Sequence, residues 1–333
     1  MTIETRKGNI TLYAAGGAGI NVAKLIEPFR NAQELGMATI SPVYIDTSLS
    51  NSKGLPPEFT WVFEGMDGSG KVRAENYQEI SRHVRSILQK FPPGDLAIVL
   101  SSAHGGSGSV IAPSLVSELL SDGIPTVVIT IGGTDSALEI KNTLNTLKSY
   151  EGVAQKRETP VVMAYFQNSK ETPRAVVDRA AVELVSTLMT VFSRENTELD
   201  SMDLANFLRF DKVTSYKPRV VGLVRYLSDQ TENLDDITTG NVITVVSVLK
   251  PGATLDLNFT PEYGSIGYLN EKVNRQVLDI APLSLVTLAN TPAVVAKDMS
   301  ARLVAIEKAV KARVDNGPIL SNSDKPTDSG IVL

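Results

Sequence analysis

The chain has 333 residues, of which 42% are hydrophobic, and its formal net charge is −5. This length predicts more than one folded unit, and this apolar content excludes a globally disordered chain. Because it has no cysteine and two histidines, disulfides, thiolate metal sites and histidine-rich metal sites are excluded, and a reducing compartment is expected. The sequence has no apolar run of about 18 residues, no apolar leader and no long Lys/Arg cluster, so neither a membrane nor a nucleic acid is expected as a direct partner.

In chain order, the first half alternates short apolar runs with stretches of helical periodicity. Continuous runs of Val, Ile and Leu between helices are typical of a parallel sheet that is covered on both faces. The predicted strands are residues 9–13, 39–45, 60–63, 96–100, 126–131 and 161–166, and the predicted helices are residues 20–31, 75–91, 110–120 and 135–149. This half therefore predicts an α/β unit.

A long helical pattern follows, and the character of the sequence then changes. Residues 174–193 contain no helix breaker, and their apolar residues recur at helical spacing. Strands are predicted at residues 219–227, 242–249, 264–269 and 283–289, and a last helix is predicted at residues 292–314. This second half predicts a smaller α+β unit, and residues 315–333, which lack a helical period, predict a tail.

Two glycine-rich loops stand between a predicted strand and a predicted helix. Residues 101–109 read SSAHGGSGS, and residues 14–21 read AAGGAGIN. Glycine lets backbone N–H groups converge on one point, and a helix N-terminus adds partial positive charge there, so such a loop can cradle a phosphate chain. One loop alone is weak evidence, because many α/β loops carry glycines only for tight turns. Two of them at neighbouring strand ends predict a nucleotide site.

A third glycine-rich segment, GMDGSGK at residues 65–71, fits the start of a Walker A phosphate loop. The next residue is Val72, where that loop needs Ser or Thr to reach the magnesium ion. The strand before it is short, and no apolar strand ending in Asp stands where a Walker B motif would lie. The segment is therefore not interpreted as a P-loop.

The first two glycine loops resemble those of the tubulin and FtsZ superfamily. Residues 16–21, GGAGIN, resemble its first phosphate loop, and residues 105–109, GGSGS, resemble its signature loop, usually written GGGTGSG. His104 and Val110 stand where that signature has its first and last glycines, which indicates a divergent branch. The chain is most similar to the phage-encoded tubulins of the PhuZ type, and next to the plasmid-partition TubZ proteins. The resemblance implies that GTP and GDP are the ligands and that Mg²⁺ is the cofactor.

The resemblance also implies a tubulin/FtsZ-like fold of the α/β class. A parallel-sheet GTP-binding domain is expected at residues 1–172, joined by a long central helix, residues 173–194, to the second half. The expected segments that follow are a catalytic loop with its helix at residues 195–214, a smaller α+β activation domain at 215–291, a C-terminal helix at 292–314 and a tail at 315–333.

The resemblance implies which residues hold the phosphates. In the first loop they are Gly16, Gly17, Ala18, Gly19 and Asn21, and in the signature loop they are His104, Gly105, Gly106, Ser107, Gly108 and Ser109. The segment at residues 65–71 becomes the loop near the terminal phosphate, through Gly68, Ser69 and Gly70. Lys71 and Arg73 would be available to that charge, with a solvated turn as the alternative. Asp46, which follows the second strand, resembles the residue that approaches Mg²⁺ through water.

Four further residues are implied to read the ribose and the guanine base. Asn168 follows the sixth predicted strand and Asp178 lies in the next helix, and they supply the amide and carboxylate that the guanine edge requires. The alternatives are a turn residue for Asn168 and a helix N-terminal charge for Asp178. Thr134 and Asp135 resemble the loop beside the ribose, and either one could also cap a helix.

The acidic pair Asp200 and Asp203 opens a predicted helix after the long one. The superfamily places a D-x-x-D pair here, in the loop that completes the active site of the next subunit, where the carboxylates polarise the attacking water. The alternative is an ordinary acidic helix start, with Asp200 as the cap and Asp203 favourable to the helix dipole.

A site shared between subunits implies a head-to-tail homopolymer, because the two contributing surfaces differ. By resemblance, the chain is expected to be a GTPase activated by polymerisation, whose dynamic filaments position phage DNA in the cytoplasm of an infected bacterial cell. The tail is expected to reach the neighbouring subunit. Two alternatives remain: a plasmid-segregating tubulin, and a non-polymerising nucleotide-binding α/β enzyme. The second fits less well, since the first loop does not match G-x-G-x-x-G.

Overall fold

A computed structural model describes residues 7–29, 36–66, 68, 70, 73, 77–226, 241–270 and 282–315. The strands are β1 (Asn9–Ala15), β2 (Thr39–Asp46), β3 (Thr60–Val62), β4 (Leu96–Ser102), β5 (Thr126–Gly133), β6 (Val161–Asn168), β7 (Asn196–Thr197), β8 (Val220–Tyr226), β9 (Val242–Leu249), β10 (Tyr263–Leu269) and β11 (Leu283–Leu288). The helices are α1 (Gly16–Ile26), α2 (Leu49–Ser52), α3 (Tyr77–Lys90), α4 (Gly108–Ser121), α5 (Ala137–Arg157), α6 (Arg174–Val191), α7 (Ser201–Leu208) and α8 (Thr291–Asp315).

The described strands form one mixed sheet of eleven strands, in the order β3-β2-β1-β4-β5-β6-β8-β11-β9-β10-β7. Strands β1 to β6 are parallel, and β8 pairs in parallel with β6. Strand β11 is antiparallel to β8 and β9, β10 is parallel to β9, and β7 is antiparallel to β10. The predicted α/β class is confirmed. The strands of the predicted smaller unit extend the first sheet rather than forming a sheet of their own.

Helices cover both faces of the parallel part, which explains its continuous apolar runs. Ile10 and Leu12 of β1 point into a core shared with α1 and α6, whereas Tyr13 points into the opposite core with α3, α4 and α5. Each fully buried Ile or Leu side chain stabilises the fold by about 1.5–3 kcal/mol. The buried hydroxyl of Tyr13 is satisfied, because it donates to the carbonyl oxygen of Phe91 at 2.7 Å.

Two helices differ in extent from the sequence prediction. Helix α1 begins at Gly16 rather than near residue 20, so the first glycine loop itself forms the first turn of the helix. Helix α5 continues to Arg157 rather than ending near residue 149. Its buried residues Leu147, Tyr150 and Ala154 continue the helical spacing, and this burial outweighs the ~1 kcal/mol that a glycine costs within a helix.

The parallel part has a carboxyl edge, where β1 to β6 end, and an amino edge, where they begin. The two glycine loops leave β1 and β4 at the carboxyl edge. Helix α6 runs back to the amino edge, where the carbonyl of Met189 accepts from the Ala38 N–H at 2.8 Å and that of Ser193 accepts from the Gly8 N–H at 3.0 Å. The segment that follows α6 therefore begins on the opposite side of the molecule from the glycine loops.

Within the described ranges, none of the helices is both long and apolar enough to cross a lipid bilayer. The predicted tail lies outside the described residues except for Asp315, which ends α8. Ser69 and Lys71 also lie outside them.

Candidate nucleotide site

The two glycine loops meet in direct backbone contact. Strands β1 and β4 are neighbours, with Ala15 opposite Ser101, so their loops start side by side. Gly16 has φ +74°, and a Cβ there would lie 2.8 Å from the backbone nitrogen of Gly108. A Cβ on Gly108 would lie 2.5 Å from the carbonyl oxygen of Ala15. Only glycine allows this approach, because any side chain at either position would force the loops apart.

A cavity of about 390 Å³ opens where these loops meet. It is lined by residues 15–18 and 104–108 of the loops, together with Asp46, Ser48, Ser50, Asn51, Gly68 and Ser102. This volume falls in the range of small-molecule sites, roughly 300–1,000 Å³. The N-terminal turns of α1 and α4 both border it, so two helix dipoles and their free N–H groups favour an anion there.

Side chains of the signature loop stabilise its conformation through hydrogen bonds. His104 Nδ1 lies 3.0 Å from Ser102 Oγ and 3.1 Å from the carbonyl oxygen of Ile131. The buried Ser109 hydroxyl donates to the carbonyl oxygens of Gly105 and Gly106, at 2.6 and 2.9 Å. Ser109 therefore braces the loop and does not line the cavity, while His104 does both.

Asp46 is a buried carboxylate at the end of β2, with 2% of its surface exposed. Its Oδ1 accepts from the Thr47 backbone N–H and its Oδ2 accepts from Asn51 Nδ2, each at 2.7 Å. Burial raises the pKa of Asp46, although these hydrogen bonds oppose the shift. The residues after β2 are thus organised around one buried acid beside the cavity.

The loop at residues 65–73 reaches the cavity through Gly68, whose N–H donates to the carbonyl oxygen of Thr47 at 3.2 Å. Arg73 instead turns toward α5, where it donates to the carbonyl oxygen of Asn142 at 3.3 Å and to Ser149 Oγ at 2.9 Å. Asn142 Nδ2 in turn donates to the carbonyl oxygen of His104 at 3.1 Å. Arg73 is therefore a brace between this loop and α5, and it does not line the cavity.

The residues implied for ribose and guanine lie at the carboxyl ends of β5 and β6. Gly133 is opposite Asn168 in the register, and Thr134 Oγ1 donates to the carbonyl oxygen of Asn168 at 3.4 Å. The buried Oδ1 of Asn168 has no hydrogen-bond partner within the described part of the chain, so it is free to accept from a ligand. Neither Thr134 nor Asp135 caps α5, because Ser136 is the N-cap and its hydroxyl accepts from the Glu139 N–H.

Asp178 does not cap α6, because it lies five residues past the N-cap Pro173, and it forms an ion pair with Arg174 at 3.3 Å. It does not line the 390 Å³ cavity, and nor do Thr134, Asp135 and Asn168. Four described phosphate candidates also do not line it: Gly19, Asn21, Gly70 and Ser109. Gly19 instead permits α1 to pack on β4, since a Cβ there would lie 2.4 Å from the carbonyl oxygen of Leu100. The structure thus brings residues 16–18 and 104–108 of the two loops together around the cavity, but not the residues implied for ribose and guanine.

The acidic pair forms a capping box at the start of α7. Asp200 Oδ1 accepts from the N–H groups of Met202 and Asp203, at 2.7 and 2.9 Å, and Asp203 Oδ2 accepts from the Asp200 N–H at 3.1 Å. Asp203 Oδ1 also accepts from Tyr263 Oη at 2.9 Å and Ser265 Oγ at 2.7 Å, both on β10. Partial burial acts to raise the pKa of Asp203, but these hydrogen bonds together hold it below its ordinary value.

The pair lies far from the cavity of its own chain. Helix α7 follows α6 at the amino edge, and its residues Ala205 and Leu208 face Thr126 and Pro160, at the starts of β5 and β6, across a 60 Å³ cavity. Strands β5 and β6 each span eight residues, and seven steps of about 3.3 Å separate their two ends by roughly 23 Å. The glycine-loop cavity lies at the carboxyl edge, where these strands end. Asp200 and Asp203 therefore cannot reach a ligand in the cavity of the same subunit.

No family model matches the chain. It is 32% identical over 214 residues to a phage tubulin-like protein of Pseudomonas phage phiKZ, and 30% identical over 202 residues to one of Pseudomonas phage PhiPA3. Each match covers 60% of this chain, and the two cover 63% and 61% of the relatives, less than two thirds of their length.

The fold of this chain is similar to that of solved structures over nearly its whole length. A TubZ protofilament from bacteriophage PhiKZ superposes with a TM-score of 0.79 at 26% identity, covering 97% of this chain and 98% of that one. The PhuZ201 filament has a TM-score of 0.78 at 20% identity, over 98% of this chain and 99% of that chain. The GDP complex of the phage tubulin PhuZ also has a TM-score of 0.78, at 21% identity, over 97% and 99%.

The chain is similar to phage tubulin-like proteins both in sequence and in fold. This similarity agrees with the resemblance that the glycine loops implied, and the TubZ structures from other sources are more distant in fold.

Sequence reasoning missed several residues that shape the cavity. Ser48, Ser50 and Asn51 line it, and Arg73 and Asn142 brace the loops around it. A signal was present for the first group, because the polar run TSLSNS follows β2 directly at residues 47–52. For Asn142, in the second turn of α5, the sequence carries no comparable signal.

Proposed function

We propose that this chain binds and hydrolyses GTP and assembles head to tail into filaments. The observation that carries the proposal is the separation of the two halves of the site: the glycine-loop cavity lies at the carboxyl edge and the Asp200/Asp203 pair at the amino edge. Two different surfaces that complete one site make a heterologous contact, and such a contact propagates into a filament unless it closes into a ring.

The cavity would hold the phosphate chain of the nucleotide. Backbone N–H groups of Gly16, Gly17 and residues 105–108 border it at the start of two helices. Among its described lining residues there is no Lys or Arg, so the charge of a triphosphate must be offset by helix dipoles and by a metal ion.

The residues present fit Mg²⁺ as that ion. Asp46, Ser48 and Ser50 offer the cavity oxygen donors, which Mg²⁺ prefers, and each Asp46 oxygen keeps acceptor capacity beyond its hydrogen bond. When bound, Mg²⁺ would neutralise charge on the terminal phosphates. Asp46 would meet it through water, since the carboxylate is buried behind the loop.

The base would lie at the ends of β5 and β6. The free acceptor Oδ1 of Asn168 suits the N–H groups of a guanine edge, and Thr134, bonded to the same residue, stands beside the ribose. Asp178 would supply the carboxylate, once its exposed partner Arg174 is displaced.

Hydrolysis would use Asp200 and Asp203 of the next subunit. Because hydrogen bonds hold the pKa of Asp203 below its ordinary value, this carboxylate is ionised at neutral pH and can orient and polarise the attacking water. The capping box does not compete with this role, since it fixes both carboxylates in place on the amino edge.

Known structures of relatives support the assembly. The PhiKZ TubZ, at 26% identity, forms a protofilament, and the more distant PhuZ has been seen with GDP. By the same relationship we propose that the filaments position phage DNA in the cytoplasm of the infected bacterium, and that residues 315–333 contact the neighbouring subunit. We also propose that the domains are divided after residues 172, 194, 214, 291 and 314, as the sequence predicts.

The test is GTP hydrolysis measured against protein concentration, with light scattering recorded on the same samples. We expect negligible turnover at low concentration and a sharp rise that coincides with scattering. Turnover strictly proportional to protein concentration, with flat scattering, would show a self-contained monomeric site and would overturn the proposal. Deletion of residues 315–333 should weaken assembly while leaving GTP binding by the monomer intact.

A further inference from the structure

Asn51 is held at the rim of the cavity by a buried acid. Its Nδ2 donates to Asp46 Oδ2 at 2.7 Å, and the Asp46 carboxylate is itself fixed by the Thr47 N–H. Among the described residues the Asn51 amide hydrogen-bonds to Asp46 alone, although it lines the cavity. Its second N–H and its carbonyl oxygen are therefore left for a ligand.

The amide also lies directly on the first glycine loop. A Cβ at Gly17 would come within 2.8 Å of Asn51 Nδ2 and 2.9 Å of its Cγ, so the side chain occupies the space that the missing side chain leaves. Glycine at this position thus admits Asn51 to the phosphate cradle. Two independent contacts, one to Asp46 and one to Gly17, define where the amide sits.

The order of the strands says which part of the nucleotide Asn51 meets, and this step rests on the proposed function. The residues assigned to the base and ribose follow β5 and β6, whereas Asn51 follows β2, on the far side of β1 and β4. A nucleotide lying along the carboxyl edge with its base at β6 extends its phosphates toward β2. The terminal phosphate is then the group beside Asn51 and Gly68.

We propose that Asn51 donates a hydrogen bond to the terminal phosphate of GTP, and that Asp46 is a positioning residue that orients it. This makes Asn51 a residue that distinguishes GTP from GDP. A hydrogen bond to a charged phosphate is stronger than one between neutral groups. Loss of this hydrogen bond should therefore lower the affinity for the triphosphate more than the affinity for the diphosphate.

The experiment is calorimetric titration of the full chain with GTPγS and with GDP, in Mg²⁺, below the concentration at which scattering begins. Asn51→Ala should weaken GTPγS binding about tenfold or more, with less than a twofold change for GDP. Equal weakening of both nucleotides, or no change in either, would overturn the proposal. The matched control is Asn145→Ala, which removes an exposed Asn from α5 and should leave both affinities unchanged.

A double-mutant cycle tests the role of Asp46. Asp46→Asn should act in part by releasing Asn51 and in part through Mg²⁺, so its effect on the GTPγS-to-GDP affinity ratio should be smaller, but not zero, in the Asn51→Ala background. Additive effects would overturn the positioning role. Gly17→Ala, which displaces the Asn51 amide, should lower the same ratio. Failure of the wild-type chain to bind either nucleotide would instead refute the proposed function, so the two failures are distinguishable.

Discussion

The hydroxyl groups of Thr47 and Ser107 lie 2.5 Å apart, although sixty positions separate the two residues in the chain. Both side chains are buried. The contact joins the end of β2 to the signature loop, so the Asp46 cluster and the glycine loops form one connected unit around the cavity. A disturbance on either side is expected to change the shape of the whole cradle.

Removing the Thr47 hydroxyl should therefore lower both the stability of the fold and the affinity for nucleotide. Thr47→Val keeps the shape of the side chain but removes the hydrogen bond, and we expect the free energy of unfolding to fall by about 1 kcal/mol. The measurement is urea unfolding, with nucleotide affinity determined in parallel. In a cycle with Ser107→Ala the two changes should be coupled by about 0.5–1.5 kcal/mol, and additivity would show that the two hydroxyls act separately.

The close approach of the two glycine loops gives a second prediction with an internal control. Gly108→Ala places a Cβ 2.5 Å from the Ala15 carbonyl oxygen, so the loops must separate, at a cost of about 1–3 kcal/mol and with a loss of nucleotide binding. The Cβ that Gly152→Ala adds within α5 would have no described neighbour within 4 Å. Because alanine favours a helix more than glycine does, this variant should be more stable by about 0.5–1 kcal/mol. Thermal unfolding of the two variants distinguishes them, and equal shifts would contradict the role of the contact.

Hydrolysis in trans can be tested by mixing two inactive variants. The double variant Asp200→Asn, Asp203→Asn keeps its capping ability and its nucleotide cavity, whereas Gly108→Ala loses the cavity and keeps both acids. Each alone should hydrolyse GTP at least about a hundredfold more slowly than the wild type, as expected for loss of groups that position the attacking water. The mixture should recover measurable turnover, and turnover no higher than the sum of the separate variants would show that the acids do not act on a neighbour.

The lowered pKa of Asp203 predicts how its contribution to stability depends on pH. Because the folded-state pKa lies below the unfolded-state value, the contribution is complete above the ordinary aspartate pKa, about 3.9, and is lost as the pH falls through the folded-state pKa. The wild type should exceed Asp203→Asn in stability by about 1 kcal/mol at neutral pH, with a smaller difference at pH 3.

Urea unfolding at a series of pH values measures this difference. The exposed Asp256 offers the control, since Asp256→Asn should change stability little at any pH. A difference between wild type and Asp203→Asn that does not vary with pH would contradict the assignment of its hydrogen bonds to Tyr263 and Ser265.

Several features of the site could be read from local sequence because local chemistry determines them. Glycines at 16, 17, 105, 106 and 108 between strands and helices predicted the two loops, and the structure places them together around one cavity. The alternation of apolar runs with helical periods predicted the α/β class, since a strand buried on both faces must be apolar throughout. The D-x-x-D pattern predicted a helix start at Asp200, and the capping box confirms it.

Other features depended on contacts between distant segments, which local pattern does not encode. Arg73 could serve a phosphate or a solvated turn, and only the packing of α5 against its loop decided that it braces that helix. Gly19 has the same local context as Gly16, yet it lies against β4 rather than in the cavity. The pairing of β8 with β6, which extends one sheet into the second half, arises from strand register across more than fifty residues.

The sequence by itself determined the identity of the elements and the chemistry of the loops, because propensity, capping and glycine conformation act over a few residues. The tertiary structure decided where those loops point. It placed the glycine-loop cavity and the acidic pair at opposite edges of one sheet and brought Asn51, through Asp46, to the rim of the cavity. Such placements follow from the burial of whole helix and strand faces, which a run of neighbouring residues cannot specify.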